Sequence, residues 1–212
     1  TIMTSYETTH VKEIYDKIAH EFDNTRTYKW TWIDQFVSTL ENDSIVCDIG
    51  CGNGRNMKYN NLQFIGVDNC KKFVDMCNIK GLNTIESDMT NIKLESESVD
   101  HILCIASFHH LYTKENRLKS LHEMKRILKG PGSKILLSVW SIVQPKKTRV
   151  VFDNYGDTMV SWKNTHDRYY YIFKLDELES LFKEAGLYIE SHSYDCGNEI
   201  YVLCNIVKCA FI

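Results

Sequence analysis

The sequence is poor in the features that would set it outside the ordinary globular class. Only two prolines occur in 212 residues, with no internal repeat and no low-complexity tract, so no stretch reads as a stiff or disordered linker and the chain is expected to fold throughout. No apolar run approaches the roughly 20 residues that cross a bilayer, and the opening TIMTSYETTH has no basic flank leading into an apolar segment. The expectation is a cytoplasmic protein with no membrane association. The eight cysteines, at 47, 51, 70, 77, 104, 196, 204 and 209, contain no C-x-x-C pair, which argues against structural zinc and against a disulfide framework. Several fall inside apolar runs, where a thiol behaves as a small hydrophobe. An excess of positive charge is missing as well. At a net charge of −3, a nucleic-acid substrate has to be held by a local basic patch rather than by the field of the whole molecule.

What is present is a regular alternation. Val11, Ile14, Tyr15, Ile18, Ala19 and Phe22 recur at helical spacing, and Trp32, Ile33, Phe36, Val37 and Leu40 do so again, so two helices precede the core. Strands are expected near 45–49, 64–67, 83–86, 99–105 and 134–139, interleaved with helices near 70–79 and 114–129, which implies a parallel sheet covered by helices. A helix over 175–185 stops at Gly186, and the runs GLYIESHSY and EIYVLCNIVK then form an antiparallel hairpin around Cys196-Gly197-Asn198 at the sheet edge. The segment 140–174 shows no clear periodicity, a property often associated with function in compact domains. One domain over 1–212 accounts for the length.

The stretch VCDIGCGNGRN, Val46 to Asn56, places Gly50, Gly52 and Gly54 directly after an apolar run. Glycines between a buried strand and a helix let the backbone turn sharply and let a ligand approach its N–H groups. A dinucleotide fingerprint requires another glycine at 55, where this chain has Arg55, so pyrophosphate binding is disfavoured. Asp68 closes the strand FIGVD at the distance where an acid accepts hydrogen bonds from ribose hydroxyls, and Asp88 follows the next strand, placed for an adenine amino group. A nucleoside without its phosphates is expected.

VCDIGCGNG, GVD, SDMTNI and VDHILCIASFHHL resemble the successive motifs of Rossmann-like S-adenosylmethionine-dependent methyltransferases over roughly residues 44–140. The resemblance implies an α/β fold with a mostly parallel seven-stranded sheet, helices on both faces and the antiparallel C-terminal hairpin. It also implies S-adenosyl-L-methionine as cofactor, held by Asp48, Gly50, Gly52, Asn53, Gly54, Asp68, Asn69, Asp88, Met89 and Ile105, with Asp48 or a neighbour facing the sulfonium and no metal.

The flanks YDKIAHEFDNTRTYKW (15–30), His109-His110, VWS (139–141), DTMVSW (157–162) and DRYYYIFKLDELESLFKEAG (167–186) resemble the eukaryotic-type tRNA methyltransferases that esterify 5-carboxymethyluridine at the wobble position. By that resemblance Arg26, His109 and Trp140 surround the reaction centre, and His110 supports structure. Residues 1–43 and 140–174 contribute the substrate side, and the tRNA anticodon loop is the substrate. A small zinc-binding activator subunit is expected along the sheet edge near 82–89. A carboxylate nucleophile is already ionised at neutral pH, so such a site needs alignment more than a base. Trp140, Trp162, Tyr169 and Tyr170 offer stacking faces for an unstacked base, and Lys146, Lys147 and Arg149 the best phosphate patch. A small-molecule O- or N-methyltransferase and a non-catalytic cofactor-binding subunit remain as alternatives.

Overall fold

Residues 3–25, 29–148 and 150–205 are described in the computed structural model. Strands β1 (Ile45–Ile49), β2 (Gln63–Asp68), β3 (Thr84–Glu86), β4 (His101–Ile105) and β5 (Lys134–Trp140) pair in parallel. Between β5 and the C-terminal strands lies a separate antiparallel pair, β6 (Gly156–Trp162) and β7 (His166–Ile172). The closing strands β8 (Leu187–Asp195) and β9 (Asn198–Asn205) form a hairpin whose inner member, β9, runs antiparallel to β5. The main sheet has the order β3-β2-β1-β4-β5-β9-β8. Cys196 and Gly197, with φ of 47° and 85°, make the tight turn that joins β8 to β9, a geometry matching the right-handed twist of the flanking strands.

The N-terminal helix runs as α1 (Ser5–Glu7), a π turn (Thr8–Lys12) and α2 (Glu13–Thr25), followed by α3 (Thr31–Val37). Helices α4 (Lys71–Ile79), α5 (Lys114–Ile127) and α6 (Leu175–Glu184) complete the set. Along β4 the side chains alternate between two cores: Ile102 and Cys104 pack with Leu121, Met124 and Phe182 of α5 and α6, whereas Leu103 and Ile105 pack with Ile33 and Phe36 of α3. A strand buried on both faces favours apolar residues, which is why β1 and β4 read as mostly apolar runs, broken in β1 by the buried Asp48.

From β1 the chain winds outward to β2 and β3, then returns to the other side for β4 and β5. The connections therefore diverge above the C-terminal ends of β1 and β4, and open α/β sheets bind ligands in the crevice left there. Among the described residues no helix is long and apolar enough to cross a membrane. The expected strands and helices are present to within a few residues, and the part of the last strand at 206–208 lies outside the described residues. The segment 140–174 departs from its irregular reading in its second half, where the β6–β7 pair lies.

Candidate active site

The loop after β1 turns through Gly50, Gly52 and Gly54 at φ of 70°, 54° and 73°, a region costly to side chains. Its three glycines are needed for different reasons. A Cβ at Gly50 would collide with Ser107, and one at Gly54 with Leu82. Only at Gly52 is the space open, the nearest atom being Phe22 Cε1 at 3.7 Å. Side-chain exclusion by a ligand, the sequence-based reading of the whole run, thus applies at Gly52; at the other two the protein's own packing excludes them. Gly54 does not border the cavity.

Above the loop lies a cavity of about 340 Å³, within the usual range for a small-molecule site. Gly52, Asn53, Asn69, Met89 and Ile105 border it, as do Asp68 and Asp88. Asp68 accepts hydrogen bonds from the Gly52 N–H and the Cys70 N–H, each at 2.8 Å, so the acid that ends β2 also fixes the glycine loop. Each carboxylate oxygen keeps a further lone pair for a ligand hydroxyl. Burial pushes its carboxyl up to about 6. Asp88 turns one oxygen inward to the Thr90 N–H and hydroxyl, both at 2.7 Å. Asp48 departs from expectation. It lies beneath the loop, 1% exposed and off the cavity wall, with both oxygens lacking a hydrogen-bond partner among the described residues. Burial raises it to about 7 against the opposing field of Arg55.

The opposite wall comes from the ends of β4 and β5 and from β7. Phe108–His110 form a 3-10 turn, in which consecutive side chains point about 120° apart. His109, 0% exposed, accepts the Trp140 N–H at Nδ1 (3.0 Å), which leaves the proton on Nε2, buried without a partner among the described residues. His110 is the member of the pair that reaches the cavity. Its Nδ1–H donates to the Tyr169 carbonyl at 2.7 Å, so Nε2 is the acceptor for the Tyr15 hydroxyl at 3.0 Å. Tyr15 in turn accepts from Arg168 Nη1 at 3.1 Å. Burial holds His110 down at about 3 and His109 well below its ordinary value, so both are neutral. The assignments of His109 to the reaction centre and His110 to support are therefore reversed in placement.

Trp140 borders the cavity as expected and stacks on Tyr170, ring centres 4.6 Å apart and 21° from parallel. Tyr169 packs away from it against Tyr6 and Tyr112, and Trp162 sits behind Arg168 with its Nε1–H on Glu21 at 2.7 Å. Lys146 and Lys147 lie on an exposed turn; Arg26 and Arg149 lie outside the described residues. Tyr15 and Arg168 had not been singled out from sequence as site residues. One wall belongs to the N-terminal helix, through Glu7, Val11, Tyr15, Phe22 and Thr25, with Met3 just ahead of it. Glu7 fastens that helix by accepting the Tyr112 N–H at 2.7 Å and the Asn116 side-chain amide at 2.8 Å.

A nucleoside-sized cavity at the switch point, with an acid at the end of β2 and an open glycine beside it, fits S-adenosylmethionine, and residues 47–136 match the family model described as a methyltransferase domain. Two solved structures share the fold: an S-adenosylmethionine-dependent methyltransferase from Clostridium acetobutylicum (TM-score 0.66, 14% identity, 91% of this chain and 99% of that one), and the Haloferax volcanii complex of the Trm112 methyltransferase activator with a methyltransferase (0.69, 17%, 91% and 96%). The chain is an S-adenosylmethionine-dependent methyltransferase of Rossmann-like fold.

Within that class the likeness is narrower. The chain is 35% identical over 219 residues to the tRNA (carboxymethyluridine(34)-5-O)-methyltransferase of Schizosaccharomyces pombe, covering 91% of this chain and 95% of the yeast protein. It is 37% identical over 144 residues to tRNA (carboxymethyluridine(34)-5-O)-methyltransferase ALKBH8 of Mus musculus, spanning 68% of this chain but only 22% of that longer protein. It belongs to the tRNA (carboxymethyluridine(34)-5-O)-methyltransferase family.

Proposed function

We propose that the chain methyl-esterifies the carboxymethyl group of 5-carboxymethyluridine at the wobble position of tRNA. The observation that carries this reading is the match along nearly the whole of the fission yeast relative, 91% of this chain and 95% of that one. S-adenosylmethionine, when bound, supplies a methyl group already activated by a positive sulfur. The chain's residues bind and align. Asp68 takes the ribose hydroxyls, Asp88 the adenine amino group with its free oxygen, and Gly52 gives close approach to the backbone, while Asn53, Asn69, Met89 and Ile105 shape the pocket around them. Gly54 lets the loop pack against Leu82, and Asp48 lies beneath it. Trp140 and Tyr170 offer the acceptor base an aromatic wall, and neutral His110 holds Tyr15 in place. No general base is required, since the acceptor carboxylate is ionised at neutral pH. Residues 1–43 and 140–174 make up the substrate side, with Arg26 an additional cation for the anionic RNA. With a net charge of −3, RNA affinity falls to local cations such as Lys146 and Lys147.

The archaeal complex with an activator supports a partner here too. A small zinc-binding subunit at the β3 edge is the partner we propose: β3, three residues long, has no strand on its outer side among the described residues, and Ile79 at the end of α4 is 86% exposed. The setting is cytoplasmic. Incubation with radiolabelled S-adenosylmethionine and tRNA from cells lacking the native enzyme tests the main reading. Label should enter tRNA and be released by mild alkali, as from an ester; alkali-stable label would reject it.

A further inference from the structure

Arg168 is a buried cation on the cavity wall with no carboxylate partner among the described residues. It reaches the wall from β7 at 3% exposure. None of the ion pairs among the described residues includes it. The neighbouring acids are engaged elsewhere: Glu21 with Lys163 and Trp162, Asp157 with the Tyr169 hydroxyl. Nη1 donates to Tyr15 and the guanidinium also bonds to the Tyr170 hydroxyl, both neutral acceptors, whereas Nε–H has no partner among the described residues. The rings of Trp162, Tyr170 and Tyr15 lie 5.0, 5.3 and 5.6 Å from the guanidinium carbon. Ring faces offset only part of the cost of burying a cation, so an anion is needed to complete this arrangement.

We infer that Arg168 is the receptor for the acceptor's carboxylate, an inference that rests on the function proposed above and gives that site its selectivity for acids. A carboxylate has two sources in such a cavity, the acceptor and the amino-acid tail of the cofactor. The acceptor is favoured by position. Arg168 shares its wall with the Trp140–Tyr170 stack and His110, whereas the glycine loop carries an arginine of its own, Arg55, which borders the cavity over Trp30 at 4.3 Å. The planar fork of a guanidinium takes a carboxylate through two parallel hydrogen bonds and fixes its orientation. From that position one carboxylate oxygen bonds to the methyl carbon as the carbon–sulfur bond breaks, its electron pair staying on sulfur. Anion and sulfonium both become neutral, and no proton moves. The ester no longer carries the charge that Arg168 holds, so product leaves more readily than substrate, and a neutral amide of the same shape is refused on the same ground.

The test compares the binding of two anticodon stem-loop RNAs to the full chain in the presence of S-adenosylhomocysteine, one with 5-carboxymethyluridine and one with 5-carbamoylmethyluridine at the wobble position. Wild type should prefer the acid by about tenfold to hundredfold, the range of a charged hydrogen bond. Arg168→Met, which keeps the stem among its rings, should bind S-adenosylhomocysteine as wild type does and lose the preference. Preference retained in a variant with normal S-adenosylhomocysteine affinity overturns the inference. So does a loss of S-adenosylhomocysteine affinity equal to that for RNA, which assigns Arg168 to the cofactor's own carboxylate. If Arg168→Met does not fold, wild type carries the test: the Nε–H resonance missing from Arg168→Lys should shift with the acid RNA and not with the amide, and equal shifts overturn the inference. Preference without methyl transfer would sink the proposed function and leave the receptor standing; transfer without preference does the reverse.

Discussion

At the scale of single residues, Asp68 carries two duties that a measurement can separate. It ties the Gly52 amide to Cys70 and borders the cavity, with burial raising its carboxyl to about 6. Ligand hydroxyls donate to the ionised form, so a proton must leave before binding at lower pH. Affinity for S-adenosylhomocysteine, followed by calorimetry, should be level above about pH 6 and fall roughly tenfold per unit below it; Asp68→Asn should bind more weakly and lose this steep limb. A wild-type profile level down to pH 5 would contradict the assignment. The histidine pair is tested by its asymmetry. His109→Ala leaves the Trp140 N–H unpaired in a closed core, so stability should drop by about 2–4 kcal/mol in urea titrations with S-adenosylhomocysteine affinity kept. Asp68 was legible in the sequence because a strand end and a fixed spacing define its place. The pair was legible as a pair only, since a 3-10 turn sends adjacent side chains apart and no spacing rule says which faces the ligand. Arg168 was not legible at all: between His166, Asp167 and three tyrosines it reads as surface, and its burial follows from contacts with Tyr15 and Trp162 made across the fold.

At the scale of elements, the glycine loop shows how one motif combines two constraints. Gly54→Ala drives a methyl into Leu82 at a positive φ, and should lower stability by about 1–3 kcal/mol, part of which Leu82→Ala restores. Gly52→Ala meets open space, so its stability loss should stay near the backbone cost of about 1 kcal/mol while cofactor affinity falls. Thermal melts and calorimetry on the two variants read the difference; equal effects in both assays would show that packing does not distinguish the two positions. The parallel strands were readable because burial on both faces forces apolar runs. The β6–β7 pair was not, for a physical reason. Its inward positions include Gly156 and Thr158, and on β7 the consecutive residues Arg168, Tyr169 and Tyr170 are all buried, one face against the N-terminal helix and the other against Trp140. Strand β7, covered on both sides by polar-headed rings, leaves no alternation to detect, and β6 alternates in burial but not in polarity, since Gly156 and Thr158 face inward and Met159 outward.

At the scale of the whole molecule, two sets of buried groups oppose each other in the response to pH. Asp48 and Asp68, raised by burial to about 7 and about 6, bind more protons folded than unfolded above pH ~4, so each subtracts stability as pH rises through that window. His110, lowered to about 3, and His109, lowered further still from its ordinary value, bind fewer protons folded, so each adds stability up to pH ~6.5. Between about pH 4 and 6 the two pairs oppose each other while His101, also lowered by burial, adds to the histidine side, so the wild-type urea midpoint should change only shallowly and rise rather than fall with pH. Asp48→Asn removes one opposing group, and its stability should climb relative to wild type by up to ~1.4 kcal/mol per pH unit over that interval. Parallel curves for the two proteins would contradict this balance. A last consequence comes from the helix that walls the cavity. Because it is tied to the body of the protein at several points along its length, through Glu7, Tyr15 and Glu21 among others, letting spent cofactor out past it is a mechanical act, timed by how long those hydrogen bonds stay broken together and set apart from the chemistry it serves.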